Sequence, residues 1–317
     1  MSGVGAAPLI DTPAAPVPAG GGAEWFEGAG GARLRAALFP ATSGSPRGAV
    51  VVHPGRTEPI EKYFEVVDIL RARGFAVLVH DWRGQGLSHH MLPDRRLGHA
   101  MGFADFLADH GRLLETFEDR LPKPWISLGH SMGGCLAMLV LAQGETRYAG
   151  AILSAPMLGL GLGRTPVAAA RFLAAANRAL GRGGLAARPD SGVPEVFETN
   201  ILTHDLARWT RNAAQVAACP DLALGGPTWG WIDFALSATE QLQRGGGVPR
   251  IAIPVTVAAA AEDRLVDNAK SRLVTARFAS GKFVEIPGAY HEILQELDAL
   301  QAPFWNEFDA LAGKVAR

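Results

Sequence analysis

Short apolar runs alternate with longer amphipathic segments from residue 47 onward. The apolar runs have the length and β-branched content of buried strands, and they cover residues 48–53, 76–80, 125–129 and 151–155. Segments with apolar residues at helical spacing separate them, at 61–73, 103–120 and 132–143. Strands that alternate with helices in this order predict an α/β fold, with a mostly parallel sheet and helices on both faces.

The alternation stops at Pro156. Further along, two strands are predicted at 253–260 and 282–288, followed by a final helix from about 292 to 311. The intervening residues 157–247 are rich in Ala, Leu, Gly and Arg and lack strand patterns. This composition predicts a largely helical insertion, which we expect to form a lid over one end of the core.

Two segments precede the first parallel strand. AEWFEG and ARLRAALF flank a glycine-containing turn, and they predict an antiparallel hairpin at the edge of the sheet. Residues 1–22 are rich in Pro, Ala and Gly and predict a mobile tail. The α/β core is therefore expected in two parts, 23–156 and 248–317, on either side of the lid.

Composition narrows the class of protein. A chain of 317 residues with 48% hydrophobic and 19% charged residues is typical of a soluble globular protein. The net charge of −1 provides no basic field for nucleic acid, and no apolar run reaches the roughly 18 residues of a membrane span. A secretory signal is not apparent, and Cys135 and Cys219 predict neither a disulfide framework nor a zinc site. These features favour a cytoplasmic protein without metal or cofactor.

The hexapeptide GHSMGG, residues 129–134, follows a predicted buried strand and precedes a predicted helix. A turn this sharp forces the residue at its tip into a strained backbone conformation, and glycines on either side remove the steric conflict with Cβ atoms. The oxygen of Ser131 would then stand clear of the sheet at the amino end of a helix. The pattern therefore predicts a nucleophile elbow, although a glycine-rich turn with a surface serine is the alternative reading.

A serine hydroxyl needs a base, and the base needs a carboxylate that holds it in one tautomer. Asp263 and His291 each come just after a predicted strand, so they should lie at the same sheet edge as Ser131. His291 has little competition as the base. For the acid, Glu262 and Asp267 are nearby rivals, but Asp263 begins the loop directly after the strand end and is favoured.

Acyl transfer also needs amide donors for the oxyanion that forms on the substrate carbonyl. The backbone N–H of Met132, directly after the serine, is the first candidate. The second is expected from the loop HPGRTE that follows strand 48–53, where Pro54 has no N–H to donate. Gly55 lets the backbone approach the substrate, so Arg56 is the predicted donor.

Five motifs occur in collinear order: PGRTE, HDWRGQGLS, GHSMGG, AEDRLVDN and GAYHEI. Together they resemble the α/β-hydrolase superfamily, and within it the monoacylglycerol lipase and bacterial lysophospholipase group, over roughly residues 24–310. The resemblance implies a sheet of about eight strands, the triad Ser131, Asp263 and His291, and hydrolysis of long-chain acyl esters. One departure from the lipases is Pro54-Gly55 in place of the usual His-Gly before the oxyanion residue.

The predicted lid suggests how substrate is reached. Arg171, Arg178 and Arg182 fall on one face of a predicted helix, which would suit an enzyme that takes single-chain amphiphiles from an anionic membrane surface on the inner side of the membrane. A solvated arginine face is the alternative. Three tryptophans either line an acyl channel or form the core of the lid itself: Trp209, Trp229 and Trp231.

The leading hypothesis is a serine carboxylester hydrolase that cleaves lysophospholipids or monoacylglycerols through an acyl-enzyme. A short-chain esterase, an aminopeptidase or an acyltransferase could use the same three residues. A protein that binds a lipid or signal without catalysis is the alternative from another class. The intact triad argues against that last alternative.

Overall fold

A computed structural model describes residues 5–163, 165–188 and 196–316. In these residues nine strands form one sheet in the order β1-β2-β3-β5-β4-β6-β7-β8-β9. The strands are β1 Ala6–Ala7, β2 Gly22–Glu27, β3 Arg33–Phe39, β4 Gly48–His53, β5 Phe75–His80, β6 Trp125–His130, β7 Tyr148–Ser154, β8 Val255–Ala260 and β9 Gly281–Ile286. Strands β4 to β9 pair in parallel, whereas β1, β2 and β3 pair antiparallel. The predicted mostly parallel sheet and the hairpin at its edge are confirmed.

The α-helices of the described residues are α1 Phe64–Ala72, α2 Ala104–Phe117, α3 Ser131–Ala142, α4 Val167–Ala179, α5 Leu206–Ala218, α6 Trp229–Gln243, α7 Asn268–Thr275 and α8 Asp298–Val315. The last helix begins six residues later than predicted. The backbone N–H groups just before it have partners outside the helix. Glu292 donates its N–H to the carbonyl of Leu202, and Tyr290 donates its N–H to the Glu296 carboxylate.

Two apolar cores lie on opposite faces of the sheet. In β4, Val50 and Val52 point to the core that α1 and α8 cover, whereas Ala49 and Val51 point to the core that α2, α3 and α6 cover. This alternation follows from the two-residue period of a strand, and burial on both faces explains why β4 is apolar without interruption. The central strands are therefore rigidly held, and their carboxyl ends provide fixed attachment points.

The segment between β7 and β8 contains α4, α5 and α6. Helix α4 lies against α6 through two ion pairs, Arg171 to Glu240 and Arg178 to Asp233. These two arginines therefore have acidic partners on α6, and their side chains are 38% and 43% exposed. Phe172 is 72% exposed and Leu180, at the C-terminal cap of α4, is 68% exposed, so large apolar side chains also face solvent here.

The expected mobile tail is wrong for the described residues 5–22. Strand β1 extends the sheet through its pairing with β2, and Ala15 is only 4% exposed. The side chain of Arg35 donates to the carbonyl of Pro8, and the Glu61 carboxylate accepts from the N–H of Ile10. Prolines and glycines gave the segment a disordered composition, but buried charged partners on the core hold its backbone.

No helix in the described part of the chain combines the length and the apolar character that crossing a membrane requires.

Candidate active site

Ser131 lies at the junction of β6 and α3, with no residue between the strand and the helix. Its φ is +49°, in the left-handed region that a side chain rarely adopts. A turn this abrupt raises the hydroxyl above the carboxyl edge of the sheet. It also places the serine in the first turn of α3, where N–H groups have no partner within the helix.

The glycines of the motif are required by close packing. A Cβ on Gly133 would lie 2.0 Å from the carbonyl oxygen of His53, and one on Gly129 would lie 2.7 Å from the Cα of Gly134. Strand β6, helix α3 and the end of β4 therefore approach one another more closely than any side chain allows. The GxSxG pattern is explained by this contact as much as by the turn.

His291 lies between Ser131 and Asp263, the other two residues of the predicted triad. Its Nε2 lies 2.9 Å from Ser131 Oγ, and its Nδ1 lies 2.6 Å from Asp263 Oδ2. The imidazole is 4% exposed and the Asp263 side chain is fully covered. In this arrangement the imidazole can accept the hydroxyl proton while the carboxylate holds its other N–H.

The carboxylate of Asp263 is fixed from both sides. Its second oxygen, Oδ1, accepts the N–H groups of Leu265 at 2.8 Å and Val266 at 3.0 Å. Burial by itself would raise the pKa of Asp263, but the hydrogen bond and charge of His291 and the two amides lower it below the ordinary value. The group therefore stays ionised at neutral pH and can stabilise an imidazolium.

The two rival carboxylates have other roles or positions. Asp267 caps α7, where its Oδ1 accepts the N–H groups of Ala269 and Lys270. Glu262 is exposed to solvent. Neither forms the contact to His291 that Asp263 makes.

The loop after β4 contains the second predicted oxyanion donor. The N–H of Gly55 donates to Glu58 at 2.5 Å, and the N–H of Thr57 donates to Gln85 at 3.1 Å. Gln85 also donates to the carbonyl of Gly55 at 2.9 Å, so the peptide groups on either side of Arg56 both have a partner in Gln85. The amide of Met132 belongs to the first turn of α3 beside the hydroxyl. Both predicted donors therefore lie on segments that meet at Ser131, and their role stays a prediction.

The three predicted tryptophans have different surroundings. Trp231 lies beneath the guanidinium of Arg56, 5.2 Å from the ring centre, which brings it to the oxyanion loop. Trp209 packs edge-on against Phe197 within the insertion, with ring centres 6.2 Å apart. Trp229 begins α6. Only Trp231 is linked to the site by a described contact, and a substrate-binding role for the three stays a prediction.

A family model described as serine aminopeptidase, S33, matches residues 44–298 of the chain. The chain belongs to this hydrolase family. It is 36% identical over 271 residues to lysophospholipase L2 of Escherichia coli, with 80% of this chain and 76% of the relative covered. It is 28% identical over 274 residues to a monoacylglycerol lipase of Mycolicibacterium smegmatis, with coverage of 86% and 90%.

Solved structures support the fold. A soluble variant of monoglyceride lipase from Saccharomyces cerevisiae superposes with a TM-score of 0.74 at 20% identity, covering 92% of this chain and 95% of the other. The hydrolase described here thus has the α/β-hydrolase fold and is a serine hydrolase by family. The family that the motifs resemble is confirmed.

Four residues of this hydrolase that the motif analysis did not select lie behind the site. Glu58, Lys62, Glu292 and His130 are all less than a tenth exposed. Lys62 Nζ lies 2.9 Å from Glu58 and 2.6 Å from Glu292, and the His130 ring is 5.0 Å from that of His291. Glu58, His130 and Glu292 lie within the motifs PGRTE, GHSMGG and GAYHEI. Lys62 was marked only by its four-residue spacing from Glu58, and such spacing usually indicates an exposed helix face.

The part of the chain that the structure describes contains no group of three or more His, Cys, Asp or Glu side chains arranged to hold a metal ion. The histidines behind the oxyanion loop contact one another and Tyr148 instead. His53 lies 3.2 Å from His80 and 3.3 Å from the Tyr148 hydroxyl, which lies 2.8 Å from His110. This hydrogen-bonded chain gives each of the three buried imidazoles at least one partner, while His110 Nδ1 is buried without one among the described residues.

Proposed function

We propose that the protein is a carboxylester hydrolase that cleaves fatty-acyl esters of single-chain lipids, lysophospholipids or monoacylglycerols, through an acyl-enzyme. The observation that carries the proposal is the position of His291 between Ser131 and Asp263, at 2.9 Å and 2.6 Å. Three side chains distant in sequence meet in the geometry that converts a hydroxyl into a nucleophile.

The reaction proceeds in two halves. His291 takes the proton of Ser131 as Oγ attacks the ester carbonyl, and the resulting oxyanion is held by the amides of Met132 and Arg56. His291 then gives its proton to the departing alcohol, and the acyl group remains on Ser131. A water molecule, deprotonated by His291, attacks the acyl ester, releases the fatty acid and restores the serine.

The names of the relatives support a lipid ester as substrate. The relatives with the longest matched regions include a lysophospholipase and a monoacylglycerol lipase, each matched over about 270 residues, and the match extends through the helical insertion. Whether the leaving group carries a phosphate is not determined by the triad, because that group lies beyond the scissile bond. The acyl chain is the part of the substrate that both classes share.

We expect the helical insertion to act as a lid that contacts a membrane surface. The outward residues of α4 include Phe172 and Leu180, which are more than two thirds exposed, and Leu173, which is 45% exposed. Large apolar side chains on a solvent-facing helix are costly unless a lipid surface covers them. Apolar contact therefore replaces the basic face expected from the sequence as the main attraction.

The test is the rate of hydrolysis of a substrate panel. The panel contains a lysophosphatidylcholine and a monoacylglycerol with the same acyl chain, a soluble short-chain ester and a prolyl amide. We expect turnover of at least one of the two lipids to exceed that of the soluble ester by more than about tenfold in kcat/KM, since remote binding of the acyl chain lowers the barrier. The Ser131→Ala variant is the blank.

Two outcomes would contradict the proposal. Preferred cleavage of the prolyl amide would make the protein an aminopeptidase, as the description of the family model suggests. Failure of a fluorophosphonate probe to label Ser131 would favour a protein that binds its ligand without catalysis.

A further inference from the structure

Glu58 is a buried carboxylate that holds the oxyanion loop. Its Oε2 accepts the N–H of Gly55 at 2.5 Å and the hydroxyl of Tyr63 at 2.6 Å, and its Oε1 lies 2.9 Å from the ammonium of Lys62. Glu58 itself is 3% exposed. These three partners lie within five residues of Glu58, so Glu58 fixes the oxyanion loop to the 3-10 turn that precedes α1.

Lys62 extends this contact to the other half of the site. Its Nζ lies 2.6 Å from Oε1 of Glu292, a residue 230 positions away in the chain and directly after His291. Glu292 is 6% exposed, and its backbone N–H donates to Leu202 of the helical insertion. One ammonium group therefore bridges the loop that offers the oxyanion amide and the segment that carries the proposed base.

A third element lies against the same group. Oε1 of Glu58 is 3.7 Å from Nε2 of His130, the residue directly before Ser131. Burial holds His130 neutral by lowering its pKa to about 4, so it contributes packing and polarity there rather than a positive charge. The buried Glu58 and Lys62 side chains therefore contact three segments: the one that carries Ser131, the one that carries His291, and the oxyanion loop.

Glu58 and Lys62 are charged at neutral pH. Burial alone would raise the pKa of Glu58, but the charge of Lys62 and the hydrogen bond of the Tyr63 hydroxyl lower it to about 2. Burial would lower the pKa of Lys62, yet Glu292 and Glu58 raise it above its ordinary value. Burial and the nearby Glu58 raise the pKa of Glu292, and the ammonium of Lys62 opposes that rise.

Stability alone does not account for this arrangement. Three buried charged groups seldom stabilise a fold more than apolar side chains of the same size would, because each must be taken out of water. An ion bridge instead holds the two segments that it joins at one fixed separation. Catalysis depends on that distance, since a misplacement of about 1 Å can cost about 100-fold in rate.

We propose that Glu58, Lys62 and Glu292 form a positioning bridge, which sets the oxyanion loop at the correct distance from His291. The inference rests on the proposed serine-hydrolase mechanism, but not on the identity of the lipid. Lys62 is the positioning residue at its centre, and it acts through Gly55 and His291 without touching the substrate.

The experiment compares three variants by the rate at which a fluorophosphonate probe labels Ser131 and by kcat and KM on the best ester of the panel. Lys62→Met should slow labelling and lower kcat about 10- to 100-fold, with KM within about threefold. Lys62→Met/Glu292→Gln removes the bridge and the charge at position 292, while Glu58 keeps the N–H of Gly55 and the hydroxyl of Tyr63 as donors. This double variant should regain part of the thermal stability that Lys62→Met loses, without regaining rate.

Asp109→Asn is the matched control. Asp109 forms a buried ion pair with Arg83 at 2.5 Å and accepts the N–H of Ala29, and neither partner belongs to the three segments of the site. It should lower the melting temperature while labelling proceeds at the wild-type rate per folded molecule.

Recovery of both stability and labelling rate in the double variant would overturn the bridge, because the charges would then act on stability alone. Equal slowing in Asp109→Asn would overturn it too. A wild-type protein that labels but cleaves no lipid ester would reject the proposed substrates and leave the bridge to be decided by the labelling rates. A wild-type protein that does not label would reject both proposals.

Discussion

Ser131 shows how one residue can carry both strain and function. Its φ of +49° is unfavourable for a side chain, and only the packing of β6, α3 and the end of β4 maintains it. Strain of this kind persists where the surrounding structure over-determines the backbone. Here it directs a hydroxyl to within 2.9 Å of an imidazole.

Replacement of the hydroxyl tests its role directly. Ser131→Ala should lower ester turnover by at least about 1,000-fold, because no other group near His291 can form the acyl-enzyme. The melting temperature should stay within a few degrees, since alanine fills almost the same volume. Fatty acid release and thermal unfolding measured on the same preparation check both parts, and retained esterase activity would show that another residue is the nucleophile.

Helix α4 presents large apolar side chains to solvent. Its buried residues are Ala170 and Ala174, whereas Phe172 is 72% exposed and Leu180, at its C-terminal cap, is 68% exposed. An ordinary surface helix buries its large apolar side chains against the core. The proposed contact with lipid would cover these side chains.

The prediction at this scale concerns binding to vesicles. Phe172→Glu should reduce sedimentation with phosphatidylglycerol-containing vesicles at least about fivefold, because it replaces an inserted ring by a charge that the anionic surface repels. Leu273→Glu on α7 is the control, since Leu273 is also partly exposed, at 46%, but lies outside the insertion. Equal loss in both variants would mean that charge, rather than the apolar face of α4, governs binding.

At the scale of the whole molecule, four buried histidines link stability to pH. Burial lowers the pKa of each of them, to about 3 for His80, to about 4 for His110 and His130, and well below the ordinary value for His53. Below pH 6.5 the unfolded chain binds protons at these sites and the folded protein does not. Stability that is fully present above pH 6.5 is therefore lost as the pH falls.

Each such histidine contributes a slope of up to about 1.4 kcal/mol per pH unit between its unfolded and folded pKa values. Glu61 and Glu292, whose pKa values burial raises, act in the opposite direction, but they are two groups against four. Urea unfolding between pH 7.5 and 5.0 should therefore show uptake of more than one proton on unfolding. His110→Gln should reduce that uptake by about one proton, and a stability that does not change over this range would contradict the assignment.

Local patterns predicted most of the fold. Strands β4 to β8 were visible as apolar runs because both of their faces are buried, and α1 to α3 were visible as helical spacing between them. Motif positions at strand ends also selected Ser131, Asp263 and His291, which the structure brings together. The start of α8 and the order in residues 5–22 were missed, because they depend on hydrogen bonds from Glu292 to Leu202 and from Arg35 to Pro8, residues that are distant in the chain.

The sequence by itself therefore determined the order of the elements, the turn at Ser131 and the edge of the sheet where chemistry could occur, since each of these depends on near neighbours and on side-chain period. Only the tertiary structure decided which charges meet. Arg178 of α4 pairs with Asp233 of α6, and the pairing of Lys62 with Glu292 joins two segments 230 residues apart. Such pairings require chain segments to be brought into contact by the packed core, and no local pattern records them.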